Sequence, residues 1–194
     1  MKKKLMVLAL AAICAASIAT GSLAYFTSSE TAHNTITSGN IDIEVVEKMK
    51  VEGSDELKDF PTNGIEGIMP GTSVSKIVRV KNSGSAKAWI RVKVDMTILK
   101  NEKEEMPLKL QDGTDVISFK LLDGWTEGKD GYYYYEKSVA SDALTDPIFE
   151  SVEFHKATGN EYQNCKAKLS VYAQAVQVDN NGKTVMEAKG WSEE

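Results

Sequence analysis

Cysteine and histidine are scarce in this chain, with two of each among 194 residues. Cys14 lies in an apolar N-terminal run, so a chain cleaved beyond it keeps only Cys165 and forms no intramolecular disulfide. That suits export by an organism that does not rely on disulfide staples, as in many Gram-positive bacteria. The helical zinc motif of two histidines four apart, with a glutamate beside the first, is missing. Glu153 and His155 would share one strand face. Two ligands fall short of the three protein ligands usual in a catalytic zinc site, so a solvated Glu/His face is expected there, while His33 sits in the loose N-terminal segment next to Asn34. Also missing are a Gly-x-Ser-x-Gly elbow, a phosphate-cradling glycine loop and regular calcium-loop spacing. Internal repeats and a second domain are likewise absent from the pattern. The sequence therefore names no catalytic residue, no cofactor and no metal site. Cys165, between Asn164 and Lys166 and remote from either histidine, reads as a small filler at a strand start.

What is present begins with an address. Lys2, Lys3 and Lys4 precede an apolar run of about 15 residues, short of the roughly 20 that span a bilayer. Ser22-Leu23-Ala24 then offers small residues at the two positions a signal peptidase reads. The expectation is a signal peptide over residues 1–24 cut between Ala24 and Tyr25, with a retained anchor as the alternative. Lipidation at Cys14 is disfavoured because bulky Ile13 precedes it. The membrane then matters only through the uncleaved leader during export. Without its three lysines, 20 basic residues face 28 acidic ones, a net charge of about −8. Such a surface repels phosphate backbones and excludes nucleic acid as a partner. The remaining chain of about 170 residues suffices for one domain burying roughly 70% of its unfolded surface.

The period of that domain is two. Ala88, Ile90, Val92, Val94, Met96 and Ile98 alternate with Trp89, Arg91, Lys93, Asp95 and Thr97, as in a half-buried strand. Val74, Val78 and Val80 share a face in the preceding strand, with Lys76 as a polar exception. Asn82-Ser83-Gly84-Ser85 joins the two strands, which predicts an antiparallel sheet with one wet face. Ile41, Ile43 and Val45 mark an earlier strand, Val116 to Leu122 a later one, and Phe149, Val152 and Phe154 another. The charged run Asn101 to Met106 reads as a solvated loop ahead of Pro107, and residues 142–145 as a brief helical turn before Pro147. Asp112-Gly113, Asp123-Gly124 and Asp130-Gly131 are frequent turn signals, as short reversing strands require. Tyr132 to Tyr135 would give two rings to each face, one pair buried and one exposed. In the last long strand Ala167, Leu169, Val171, Ala173 and Ala175 face inward, and a phase shift at Val176 suggests a bulge. The class is all-β: one antiparallel sandwich over residues 41–191, with short helical turns in its connections, followed by a polar tail at 192–194. Residues 25–40 form a flexible segment ahead of it.

These blocks carry a resemblance. The lysine-rich start, Gly21-Ser22-Leu23-Ala24-Tyr25-Phe26, Glu30-Thr31-Ala32-His33-Asn34-Thr35 and Ser38-Gly39-Asn40-Ile41-Asp42-Ile43 resemble the TasA/camelysin family, exported Gram-positive proteins cut by a dedicated signal peptidase. Met69-Pro70-Gly71 with the strand after it, and Glu161-Tyr162-Gln163-Asn164 leading into Lys166 to Val171, resemble two further shared blocks. The resemblance implies a jelly-roll-like sandwich and a secreted protein of the biofilm matrix or cell surface that forms fibres. It also brings a metallo-endopeptidase label without catalytic residues. The physical route to fibres is strand addition by residues 25–36 to the sheet edge of a second copy, with Tyr25, Phe26, Thr27, Thr31, Asn34, Thr35 and Ile36 as the assembly segment. The expected partner is the protein itself, with other matrix proteins as further candidates. The alternatives are a secreted metal-dependent protease and a module that binds cell-wall glycan or a host protein through exposed tyrosines.

Overall fold

The computed structural model describes residues 33–35, 41–61, 69–101, 103–163 and 165–192. The leader and its junction at Ala24 and Tyr25 lie outside these residues. Among the described residues no helix is long and apolar enough to cross a membrane.

The chain is all-β. Its strands are β1 (His33–Thr35), β2 (Ile43–Lys50), β3 (Leu57–Asp59), β4 (Ser73–Ser75), β5 (Ile77–Asn82), β6 (Ala88–Lys100) and β7 (Glu104–Met106). There follow β8 (Ile117–Phe119), β9 (Trp125–Glu127), β10 (Tyr133–Tyr135), β11 (Ser151–Phe154) and β12 (Cys165–Gln177). Short 3-10 turns at Asn160–Tyr162 and Val185–Glu187 are the described helical elements. The large sheet runs β1-β12-β6-β10-β9, with β7 also on β6. Two three-stranded sheets, β4-β11-β8 and β3-β2-β5, complete the structure. Every pairing is antiparallel except that of β1 with β12.

The alternation read from sequence places the core. Ile90, Val92 and Ile98 of β6 join Leu169, Val171, Ala173 and Ala175 of β12, Val78 and Val80 of β5, and Val152 and Phe154 of β11 in one buried cluster. Ile41, Ile43 and Val45 are buried in it too. Cys165, the first residue of β12, is fully buried, as a strand-start filler should be.

Three local expectations need correction. The turn after β5 does not return the chain to the same sheet: β5 pairs with β2, whereas β6 pairs with β12 and β10. Both strands carry an apolar face, and facing each other across the core buries both. The buried Asn82 side chain shapes this crossing. Its Nδ2 donates to the carbonyls of Ala86 (2.8 Å) and Val139 (3.0 Å), and its Oδ1 accepts from Gly84 N–H (3.0 Å). The charged run does not stay a loop, because Glu104–Met106 turns back as β7 against Ile98, Leu99 and Lys100. Asn101 reverses the chain in the left-handed region at φ 51°, where asparagine is tolerated. Nor is there a bulge at Val176: the ladder runs unbroken from Cys165 opposite Lys100 to Gln177 opposite Ala88.

Residues 142–150 depart from expectation as well. In place of a helical turn, the segment lies along β5, with Thr145 N–H donating to Val80 O (2.9 Å) and Ile148 N–H to Val78 O (2.9 Å). It leads directly into β11, so the backbone of the two small sheets is linked through it.

Candidate functional site

The N-terminal segment comes first, because the sequence singles it out. Of the assembly residues, Asn34 and Thr35 fall in β1, opposite Ala173 and Gln174 of β12, and His33 lies opposite Tyr172. Tyr25, Phe26, Thr27, Thr31 and Ile36 lie outside the described residues. β1 is the terminal strand of the large sheet, so this stretch of backbone already pairs as an added strand, in parallel, with the edge of β12.

The two histidines sit on separate sheets, His33 in β1 and His155 just past the end of β11. The His155 backbone N–H donates to Val116 O (3.0 Å), and its Nδ1 accepts from Ala157 N–H (3.2 Å). With Glu153, His155 lines an open groove of about 360 Å3 shared with Gly71, Thr72, Ser118 and Lys156. Among the described residues no three His, Cys, Asp or Glu side chains come together as a metal-binding group. Burial pushes the Cys165 thiol above its ordinary pKa, which keeps it protonated and unreactive.

The tyrosines divide between faces as the period demands, but not between wet and dry. Tyr133 and Tyr135 pack on the main core. Tyr132 and Tyr134 point to the opposite face, yet both are buried in a second cluster with Trp89, Val176, Val185 and Ala188, against which Trp191 packs. Residues 178–192 supply the cover. Tyr134 is therefore no exposed ligand shelf. Tyr133, half-buried, remains on the wall of an open groove of about 270 Å3 with Met96, Leu108, Phe119, Asp115 and Glu127.

Arg91 is the polar centre of that second cluster. Its Nε and Nη2 donate to Gln174 Oε1 at 3.0 and 2.8 Å, and Nη1 donates to the Tyr134 hydroxyl at 3.1 Å. The guanidinium carbon lies 3.8 Å from the Tyr132 ring centroid and 4.8 Å from that of Trp191. The Tyr134 hydroxyl donates to Asp130 Oδ2 at 2.7 Å. Burial alone would raise the Asp130 carboxyl, but the hydrogen bonds from Tyr134 and from Tyr132 N–H, with the Arg91 charge, outweigh it and hold it below the ordinary carboxylate range. Burial and the bond to Asp130 push the Tyr134 hydroxyl the other way, upward. This arrangement fastens the C-terminal segment to the sheet.

A further polar pair escapes the sequence reading. Lys76, the polar exception, forms a buried ion pair with Glu47 of β2. A signal existed: Glu47 continues the inward phase of Ile41, Ile43 and Val45, as Lys76 continues that of Val74, Val78 and Val80. Opposite charges at two inward positions of neighbouring strands point to each other.

A family model described as Camelysin metallo-endopeptidase matches residues 1–125. No curated protein and no solved structure matches the chain. The match takes in the N-terminal block and the Pro70-Gly71 block and ends at the start of β9.

Proposed function

The chain belongs to the camelysin family, and from that premise we propose that it is an exported structural protein of the extracellular matrix or cell surface, assembling with copies of itself into fibres. One observation carries the reading: backbone just ahead of the sandwich pairs as the terminal strand of the large sheet, on β12. A strand that adds to its own sheet edge can add equally to the same edge of a neighbour, by main-chain hydrogen bonds. Repeated head to tail, such a contact is heterologous and need not close, so it propagates. In this reading residues 1–24 are the leader, cleavage after Ala24 frees Tyr25, and Tyr25, Phe26, Thr27, Thr31, Asn34, Thr35 and Ile36 make the intersubunit strand.

The test is electron microscopy over time of the purified mature protein beside a variant lacking residues 25–34. Filaments from the first and a folded monomer from the second are expected. Filaments persisting in the shortened protein would defeat strand addition.

The family description itself supports a second reading, a secreted metal-dependent endopeptidase. Casein cleavage by the purified protein, sensitive to chelator and lost in His155→Ala, would favour it over the scaffold. A third reading keeps the groove beside Tyr133 as a glycan or peptide site. Binding to purified cell walls that disappears in Tyr133→Ala would select it.

A further inference from the structure

We propose that Lys76 and Glu47 condense into an intramolecular isopeptide bond that staples β2 to the junction of β4 and β5. This inference is independent of the assembly reading. Register brings the two groups together: Glu47 lies opposite Val78 in the β2–β5 ladder, so Lys76, two residues before Val78, is its diagonal neighbour on the same face. The backbone on both sides is fixed, with Lys76 N–H donating to Glu150 O (3.0 Å) and Phe60 N–H to Glu47 O (3.1 Å). The side chains are ion-paired and only 2% (Lys76) and 4% (Glu47) exposed.

Their surroundings favour an uncharged product. The Lys76 nitrogen stands 3.8 Å from the centroid of the Phe60 ring. It also borders a cavity of about 30 Å3 walled by Val74, Met96, Ile117, Phe154 and Leu169. In bulk water, hydration of the two ions holds an amine and a carboxylate apart from their amide. Here that hydration has been stripped from both ions. Condensation eliminates both charges at once. Holding the two groups in contact replaces a bimolecular encounter with an intramolecular one.

The step balances without a co-reactant. A proton passes from the Lys76 ammonium to the Glu47 carboxylate, leaving an amine against a carboxylic acid. The Nζ lone pair attacks Cδ, and a C–N bond forms. The tetrahedral intermediate gives up one oxygen with two protons as water, and the C–O bond breaks. In a chain with Cys165 as its one cysteine beyond the leader, this bond would do the work of a disulfide.

The experiment is the intact mass of the purified mature protein under denaturing conditions, followed by peptide mapping. The expected mass is that of the sequence less one water, with a branched peptide joining positions 47 and 76. Lys76→Arg is expected to show the full mass. Full mass in the unmodified protein overturns the proposal, whether or not the variant folds. Water loss that persists in Lys76→Arg, or that maps to an Asp-Gly turn as a succinimide, overturns it equally.

Discussion

Val176 stands directly opposite Trp89 in the β12–β6 ladder, on the side of the large sheet away from the main core. The Trp89 indole N–H donates to Asn181 O (3.1 Å), and Val185 and Ala188 close over the pair. An outer face that reads as wet in either strand alone is thus dry at this end, because residues 178–192 return to cover it.

Val185 is the apolar anchor of that cover, 3% exposed. Val185→Ala should cost about 2 kcal/mol, the sum of lost transfer energy and an incompletely filled cavity. Denaturant unfolding with an unchanged m-value would show this as a lower midpoint. A change under about half a kcal/mol would mean that the C-terminal segment contributes little to the fold.

The same region should loosen in acid. Asp130 has its carboxyl pKa held below the ordinary 3.8 in the folded protein, the net of burial opposing and the tyrosine hydrogen bonds favouring its charge. A depressed folded value means that the contribution is complete above the unfolded value and fades as pH falls through the folded one. Asp130 is 44% exposed at its side chain, so solvent screens the effect and keeps it small. Fluorescence of Trp191, edge-on to Tyr134 at 6.0 Å, should report the loss below about pH 4. Asp130→Asn should be less stable at neutral pH and show a flatter acid limb; an identical limb would remove Asp130 from the account.

How much of this was legible in the sequence follows from the range of the forces. The alternation of β6 and β12 is local, and it correctly gave strand, face and core for Ile90, Val92, Leu169 and Val171. Which strands pair is not local. Asn82 to Ser85 reads as an ordinary reversal, and only burial of the apolar faces of both β5 and β6 turns it into a crossing between layers. Glu104–Met106 has a charged sequence because an edge strand needs few apolar contacts, so its backbone pairing leaves no pattern to read. The cover over Tyr134 and Val176 comes from residues that neither strand can anticipate. The phase shift at Val176 marks a second apolar cluster and no bulge. The Arg91 centre was invisible for the same reason, whereas Glu47 and Lys76 could have been paired from phase and charge.

The crossing after β5 rests on Asn82, which has no exposed surface and three hydrogen bonds to backbone groups. Asn82→Ala should cost about 3 kcal/mol, since it strands buried backbone partners as well as losing the bonds. Asn82→Asp should be no better, because a carboxylate cannot donate to the carbonyls of Ala86 and Val139. Thermal melts of the two variants test this, and a mild effect of the aspartate would show that water replaces the donor.

Residues facing each other in the β1–β12 pair offer control over assembly. His33 and Tyr172 are directly opposite in register, within the Cα range that a disulfide bridges. A His33→Cys, Tyr172→Cys protein, oxidised as a monomer, should hold its N-terminal strand on its own sheet and form no filaments. Reduction should release it to assemble at the rate of the unmodified protein. Filaments growing equally in both redox states would show that fibre contacts use other surfaces.

The buried pair finally distinguishes two chemistries by the sign of a stability change. Were Lys76 and Glu47 simply ions, replacing both by apolar residues of similar volume would be neutral or stabilising by about 1–4 kcal/mol, because the desolvation cost disappears with the charges. Were they joined, no buried charge would remain to relieve, and the same replacement would release the loop that the bond closes, a loss of about 3–4 kcal/mol by analogy with a disulfide closing a loop of that length. The Lys76→Met, Glu47→Leu protein is therefore expected to melt below the unmodified one. The single Lys76→Met variant should fall further still, since it leaves the Glu47 carboxylate buried without its lysine. A double variant as stable as the natural chain, or more so, would identify an ordinary ion pair, retained for the register it imposes between β2 and β5.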